Sequence, residues 1–317
     1  MAIQSKNGKA FEYACLIGFK RFLEDINNNV EILYVDAVII AQNDYESLSM
    51  DLRDRMDNAA MAAVRIIARL EPLLQNSIGQ NLFLTLQPDK AGSEGDVRDI
   101  LAIRKDFEWE IGISCKHNHN AVKHSRLSRL IDFGDKWLQI PCSEEYFKDI
   151  APIFDKLTAL RNEKIEWKEI KNKNEEIYIP LLDSFVKELK RLEFENPVIV
   201  PQRFLSYLLG KNDFYKVISM GSKKVTQISA FNIYGTLNKS FGKIKPQTIV
   251  PRLTMPTKFY DIRYKPKSKN TIIATCDNGW TISMRIHSAS TLVESSLKFD
   301  VNLIGIPQTL YTQYEPW

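Results

Sequence analysis

The sequence predicts an α/β fold, a mixed sheet core flanked by helices with a β-rich C-terminal region. Three observations carry that expectation: apolar residues recur at helical spacing before Gly210, they alternate at a period of two after it, and residues 97–116 read as a hairpin. A chain of 317 residues with 44% hydrophobic content can bury a substantial core, in one large domain or two. Gly210 is the expected boundary between residues 1–210 and a basic, β-rich stretch, 211–317, whether or not the two pack as one domain.

Phe11, Ala14, Cys15, Gly18, Phe19, Phe22, Leu23 and Ile26 form one stripe of 3.6-residue period, so residues 8–27 read as an amphipathic helix with Glu12 near its start. Residues 45–74 read as a second helix ending near Pro72 and Asn76, with Ala59-Ala60-Met61-Ala62-Ala63 small enough for close packing. A strand is expected over 81–87, followed by the hairpin. Helix resumes over 125–137 and 144–161; a charged surface connection, 162–175, leads to a helix over 180–195. Residues 201–209 make a short helix started by Pro201 and stopped by Gly210. Beyond it, 215–220 and 225–231 form a hairpin across 221–224, and 270–276 pairs with 280–287 across Asp277-Asn278-Gly279. No internal repeat or low-complexity segment is visible.

No apolar stretch approaches the roughly 20 residues that span a bilayer, and Met1-Ala2-Ile3-Gln4-Ser5-Lys6 lacks a signal-peptide core, so a cytoplasmic location is expected. Cys15, Cys115, Cys142 and Cys276 show no C-x-x-C spacing, which excludes a sequence-evident zinc site or disulfide framework. Net charge is only +4, yet residues 211–270 hold thirteen Lys or Arg against Asp213 and Asp261. A segment this one-sided is better explained by contact with a polyanion than by a solvated face.

Along the second hairpin strand, Glu110, Gly112, Ser114 and Lys116 share one face, and Ile111, Ile113 and Cys115 share the other. A lysine in so apolar a strand needs a reason. If the hairpin turns about Asp106 and Phe107, Asp99 lies across from Ser114, and carboxylate and ammonium converge at one strand end. That is the minimum kit for metal-assisted phosphodiester hydrolysis: an acidic oxygen ligand for Mg²⁺ and a cation near the attacking water and charged phosphorane. Asp99 is the first choice of ligand and Asp96 the alternate. Glu110 lies about 20 Å along the strand from Lys116 and reads as a hairpin-end surface residue.

Asp-x(n)-(Asp/Glu)-x-Lys across a hairpin is the signature of the PD-(D/E)xK nuclease superfamily. Gly-Asp-Val-Arg-Asp from Gly95, followed by Glu-Ile-Gly-Ile-Ser-Cys-Lys-His-Asn-His from Glu110, resembles the HaeIII-type restriction endonucleases. The segments 8–14, 122–128, 211–217, 279–283, 285–287 and 296–300 are similar to that family too, so the resemblance spans most of the chain. It implies a restriction-endonuclease-like nuclease core within residues 1–210, a Mg²⁺ cofactor, double-stranded DNA as substrate, GGCC as the site, and functional pairing with a DNA methyltransferase. A homodimer is the natural solution for a palindromic target. Ser114 departs from the pattern, standing where the superfamily usually has Asp or Glu. The resemblance offers Glu12 as compensation, because many of these nucleases bring a glutamate from the first helix, in a Gly-x-x-Phe-Glu context, to the catalytic strands.

His117-Asn118-His119-Asn120 is not an HNH nuclease motif, whose members are spaced over a ββα unit; His117 and Asn118 read as polar donors toward DNA, with His117 or His119 as proton-transfer candidates. Lys123, His124, Arg126 and Arg129 follow, with the three cations on one helical face if that stretch is a helix. Lys223 and Lys224 lie in the basic segment. Arg285 and His287 share a strand face with Lys298 nearby, and Arg285 is open to base readout, phosphate contact or an ion pair with Asp300. The reading is a type II restriction endonuclease. Its rivals are a structure-specific or repair nuclease of the same superfamily and a non-catalytic DNA-binding protein in which Asp99 and Lys116 merely pair.

Overall fold

The apolar stripe of the first helix becomes α1 (Ile3–Asp25) in the computed structural model, which describes residues 3–26, 28–75, 81–93, 95–118, 122–123 and 125–317. It buries Phe11, Ala14, Cys15, Phe19 and Leu23, each large side chain contributing about 1.5–3 kcal/mol. The helix expected over 45–74 is instead three. The first, α2 (Asp36–Glu46), ends where the Ser47 hydroxyl donates to the Asp44 carbonyl at 2.6 Å. Extended Ser49 then starts α3 (Met50–Leu70), and Glu71, which precedes a proline and cannot stay helical, separates it from α4 (Pro72–Gln75). The alanine-rich face of α3 is buried, as its small residues require.

Seven strands form one mixed sheet. In chain order its first four are β1 (Val30–Ile32), β2 (Leu82–Leu86), β3 (Ile100–Arg104) and β4 (Trp109–His117), with the short α5 (Asp89–Ser93) between β2 and β3. Next, β5 (Arg126–Ser128) belongs to a second sheet; β6 (Phe214–Met220), β7 (Val225–Phe231) and the late strand β12 (Tyr311–Pro316) complete the first, in spatial order β1-β2-β3-β4-β6-β7-β12. Pairing is parallel for β1 with β2 and β4 with β6, and antiparallel elsewhere. Ile111, Ile113, Cys115, Tyr215, Val217, Ile228 and Ala230 line the buried face of the sheet within the core cluster that includes α1 and α3.

The second sheet is antiparallel, in the order β5-β11-β10-β9-β8, from β8 (Phe259–Tyr264), β9 (Thr271–Cys276), β10 (Thr281–His287) and β11 (Ser296–Gly305). Its helices are α6 (Glu144–Asn162), capped by the Ser143 hydroxyl accepting from the Tyr146 amide, α7 (Ile179–Glu195) and α8 (Ile199–Leu209). Phe133, Trp137, Tyr146, Phe185 and Phe299 form its aromatic core. The helix expected over 125–137 is absent. Leu127 alternates with exposed-side Arg126 and Ser128 and pairs with Leu297, so this stretch is an edge strand. Only Gly134–Leu138, a single wide turn, is helical there.

The chain divides into two compact units, one of residues 1–120, 210–254 and 309–317, the other of 121–209 and 255–308. Gly210, at φ +95° where a side chain would be strained, is one of four crossings, so residues 211–317 are shared between the units.

Candidate active site

Hairpin register fixes the site. Ile100 pairs with Ile113, and the Asp99 amide donates to the Ile113 carbonyl at 2.8 Å, so Asp99 stands opposite Ser114. The turn over Lys105–Phe107 is the one that the expected register requires. Asp99 Oδ2 accepts from the Cys115 amide at 2.6 Å, the Lys116 ammonium at 3.1 Å and the Ser114 hydroxyl at 3.2 Å. Both side chains of the pair keep a solvent face, 21% for Asp99 and 29% for Lys116, which leaves them open to a substrate.

Glu12, on α1, is brought to the same place and is buried, with Lys9 at 3.4 Å. Burial pushes its carboxyl up to about 8; the Asp99 charge pushes the same way, and Lys9 and Lys116 pull back. Burial works against the Lys116 ammonium, but Asp99 and then Glu12 more than offset it, so Lys116 holds its proton more firmly than a free lysine.

Asp96 goes elsewhere. It grips Arg98 through two contacts, 2.8 Å to Nε and 2.7 Å to Nη2, and accepts from Asn212 Nδ2 at 3.0 Å. Burial resists its charge, but these Arg98 contacts win and hold the carboxyl below its usual range. Arg98 reaches on to Glu110 at 2.6 Å, lying across Gly112, where a Cβ would come within 1.9 Å of its Cδ. The glycine is therefore part of this ion network, and Glu110 is its far end rather than a free surface group.

One residue of the site escaped the sequence reading. Lys216 on β6 pairs in register with Ser114, on the face that carries Lys116, and is 5% exposed. Burial pushes its ammonium down to about 7, with Lys116 pushing the same way and Asp99 opposing. A lysine inside the apolar run Tyr215-Lys216-Val217-Ile218 is the same signal that singled out Lys116. What sequence could not supply was the parallel pairing that sets it beside Ser114.

His117 turns from the Lys116 face toward α1, its ring 5.9 Å from Phe11, and burial lowers its pKa. Asn118 is tied to the strand ends, donating toward His117 Nε2 at 3.0 Å and accepting from the Gly221 amide at 2.9 Å. Lys223 and Lys224 sit at the β6–β7 turn, exposed. His119, Asn120 and His124 lie outside the described residues.

Within the second unit the expected helical edge of Lys123, Arg126 and Arg129 does not exist, because the stretch is strand. Lys123 turns inward, donating to the Tyr207 carbonyl at 2.7 Å and lying 3.6 Å from that ring, and burial lowers it to about 8. Arg129 pairs with Asp155. Arg126 instead joins a row across three strands, Arg126 beside Lys298 beside His287, with Arg285 one step along bonded to Asp300 at 2.9 Å. The opposite side of those strands, Leu127, Leu297, Phe299, Ile286 and Met284, is core.

Among the described residues no group of three or more His, Cys, Asp or Glu side chains is placed to hold a metal ion. The two converging carboxylates, Asp99 and Glu12, nevertheless fit Mg²⁺, which keeps several waters and takes one or two carboxylates. Burial first and the Asp99 charge second push Glu12 toward its neutral form, and a hard cation bound beside both carboxylates would offset each of these.

The mixed sheet thus presents an Asp–Lys pair at a hairpin end with the buried Glu12 of the first helix near it, and comparison with known proteins sets the chain among the restriction endonucleases. More narrowly, residues 8–307 match the model of the HaeIII restriction endonuclease family, and the chain belongs to that family. It is similar to the type II restriction enzyme HaeIII of Haemophilus aegyptius, with 44% identity over 311 residues, 98% of this chain and 97% of that one. No solved structure matches the chain.

Proposed function

We propose that this member of the HaeIII family, a type II site-specific deoxyribonuclease, hydrolyses double-stranded DNA at GGCC with Mg²⁺ as cofactor. The observation that carries the chemistry is the Lys116 ammonium on Asp99 Oδ2 at 3.1 Å, at the open end of β4. Asp99 and Glu12 would hold the cation, which when bound supplies a Lewis acid that lowers the pKa of water and offsets phosphorane charge. Lys116 orients the attacking water and balances charge on the non-bridging oxygens. The water oxygen bonds to phosphorus as its proton passes to bulk water, the P–O3′ bond breaks, and O3′ takes up a proton from bulk water. The products are a 5′-phosphate and a 3′-hydroxyl.

For the duplex itself, Lys223 and Lys224 at their turn, and the row of Arg126, Lys298 and His287 with Arg285, are the proposed backbone contacts. Lys223 and Lys224 are exposed on their turn, and Arg126, Lys298, His287 and Arg285 stand on strand faces turned away from the core. His117 and Asn118 follow Lys116 and could meet only the nucleotides next to the cut. The site's two-fold symmetry favours a homodimer, with a methyltransferase of the same specificity as functional partner.

Digestion of a plasmid of known sequence tests the reading. Discrete fragments ending within GGCC, formed only with Mg²⁺, are expected. A gel shift without cleavage, or cutting confined to junctions or lesions, would overturn it.

A further inference from the structure

Asp99, Ser114 and Lys216 form a row across three neighbouring strands, continued by Ser229 and Thr312 on β7 and β12, whose hydroxyls lie 3.0 Å apart. Adjacent strands are about 4.8 Å apart, so the register sets Lys216 directly beside Ser114, on the face that carries Lys116. An acid at position 114 would stand between Lys216 and the site and take its ammonium in an ion pair. Serine has no charge to offer, and its hydroxyl is already turned to Asp99 at 3.2 Å.

We infer that Lys216 is a second cation of the cleavage site, which contacts the scissile phosphate alongside Lys116, and that Ser114 is its necessary neighbour. This rests on the nuclease reading and deepens it. The chain trades the usual strand carboxylate for a lysine, giving one ligand oxygen fewer for the metal and one positive charge more for the phosphate. The buried position of Lys216 suits this, because a charge held out of water acts more strongly on a substrate that also excludes water. Burial first and then Lys116 lower its proton affinity, and a phosphate set beside it would raise it again.

The test couples Lys216 to the phosphate itself. Wild type, Lys216→Met and Lys216→Arg are assayed on a GGCC duplex for single-turnover cleavage at saturating Mg²⁺. Their binding is also measured in EDTA, with a normal or a methylphosphonate linkage at the cut. Lys216→Met should cleave about a hundredfold more slowly and Lys216→Arg should recover most of that loss. The neutral linkage should weaken wild-type binding about tenfold but Lys216→Met binding less than about threefold, since the two changes remove one contact. An unchanged cleavage rate, or equal binding losses in wild type and Lys216→Met, would overturn the inference. Should Lys216→Met fail to fold, Lys216→Gln carries the same comparison. Wild type that does not cut the duplex would instead defeat the nuclease reading, leaving the binding comparison to speak for Lys216 alone.

Discussion

Glu71 yields a pH dependence whose size follows from its surroundings. It lies between α3 and α4, 1% exposed, and its Oε1 accepts from the Tyr215 hydroxyl at 2.6 Å and the Asn238 amide at 2.8 Å. Burial pushes the carboxyl from 4.5 up to about 7 despite both donors. Below pH 4.5 the group is neutral in folded and unfolded chains alike, and Glu71 costs the fold no stability. As pH rises from 4.5 to 7 the unfolded chain gives up the proton while the folded one holds it, and stability falls; above 7 the loss is complete. A shift from 4.5 to about 7 corresponds to about 3 kcal/mol. Glu71→Gln keeps an acceptor for both donors and has no proton to lose. Urea denaturation from pH 4.5 to 8.5 should therefore find wild type and Glu71→Gln within about 1 kcal/mol at the acid end. By pH 8.5 the variant should be the more stable by about 3 kcal/mol. A difference between the two proteins that stays flat across this range refutes the reasoning.

Asp99→Ala and Lys116→Ala should each abolish cleavage while duplex binding in EDTA survives; wild-type rates in both folded variants would sink the assignment. Asp96→Ala should cut DNA but unfold more easily by about 1–3 kcal/mol, because it leaves the part-buried Arg98 with Glu110 alone; a dead, stable Asp96→Ala would reverse the roles of the two aspartates. Glu12→Gln should raise the Mg²⁺ concentration for half-maximal cleavage, and an unaltered metal titration would remove Glu12 from the ligand set. Neutralising Lys223 and Lys224 together should weaken binding to every sequence and flatten log affinity against log salt by roughly one unit per lost phosphate contact; an unchanged slope would put them on a free surface.

Local signals reported local structure faithfully. The hairpin's alternation and polar tip set the Asp99–Ser114 register, and the α1 stripe placed Glu12 on the first helix, because each depends on neighbours in sequence. The signals failed where distant chain decided the outcome. Residues 126–128 are strand because β11 offers them an edge; the break at Ser47 to Ser49 is the local exception, where the Ser47 hydroxyl on the Asp44 carbonyl ends a helix that composition alone would continue. Asp96 and Asp99 are three positions apart and equally acidic; only Arg98, folded over Gly112, draws the first away. Lys216 carried its own warning, but its relevance arises from a strand pairing that no periodicity records.

The parallel pairing of β4 with β6 also has a consequence in time. Between these strands the chain runs through α6, α7 and α8 before it returns, and the outer strand β12 follows only after the whole second sheet. While the chain is being synthesised, Asp99 and Lys116 emerge at β3 and β4, the last two strands of a four-stranded half-sheet whose β4 edge is still open. The neighbour that carries Lys216 and shields that edge does not yet exist. Closure of so non-local a pairing is also slow. The proposed cleavage site is thus built in an order that keeps it unfinished until most of the molecule has been made.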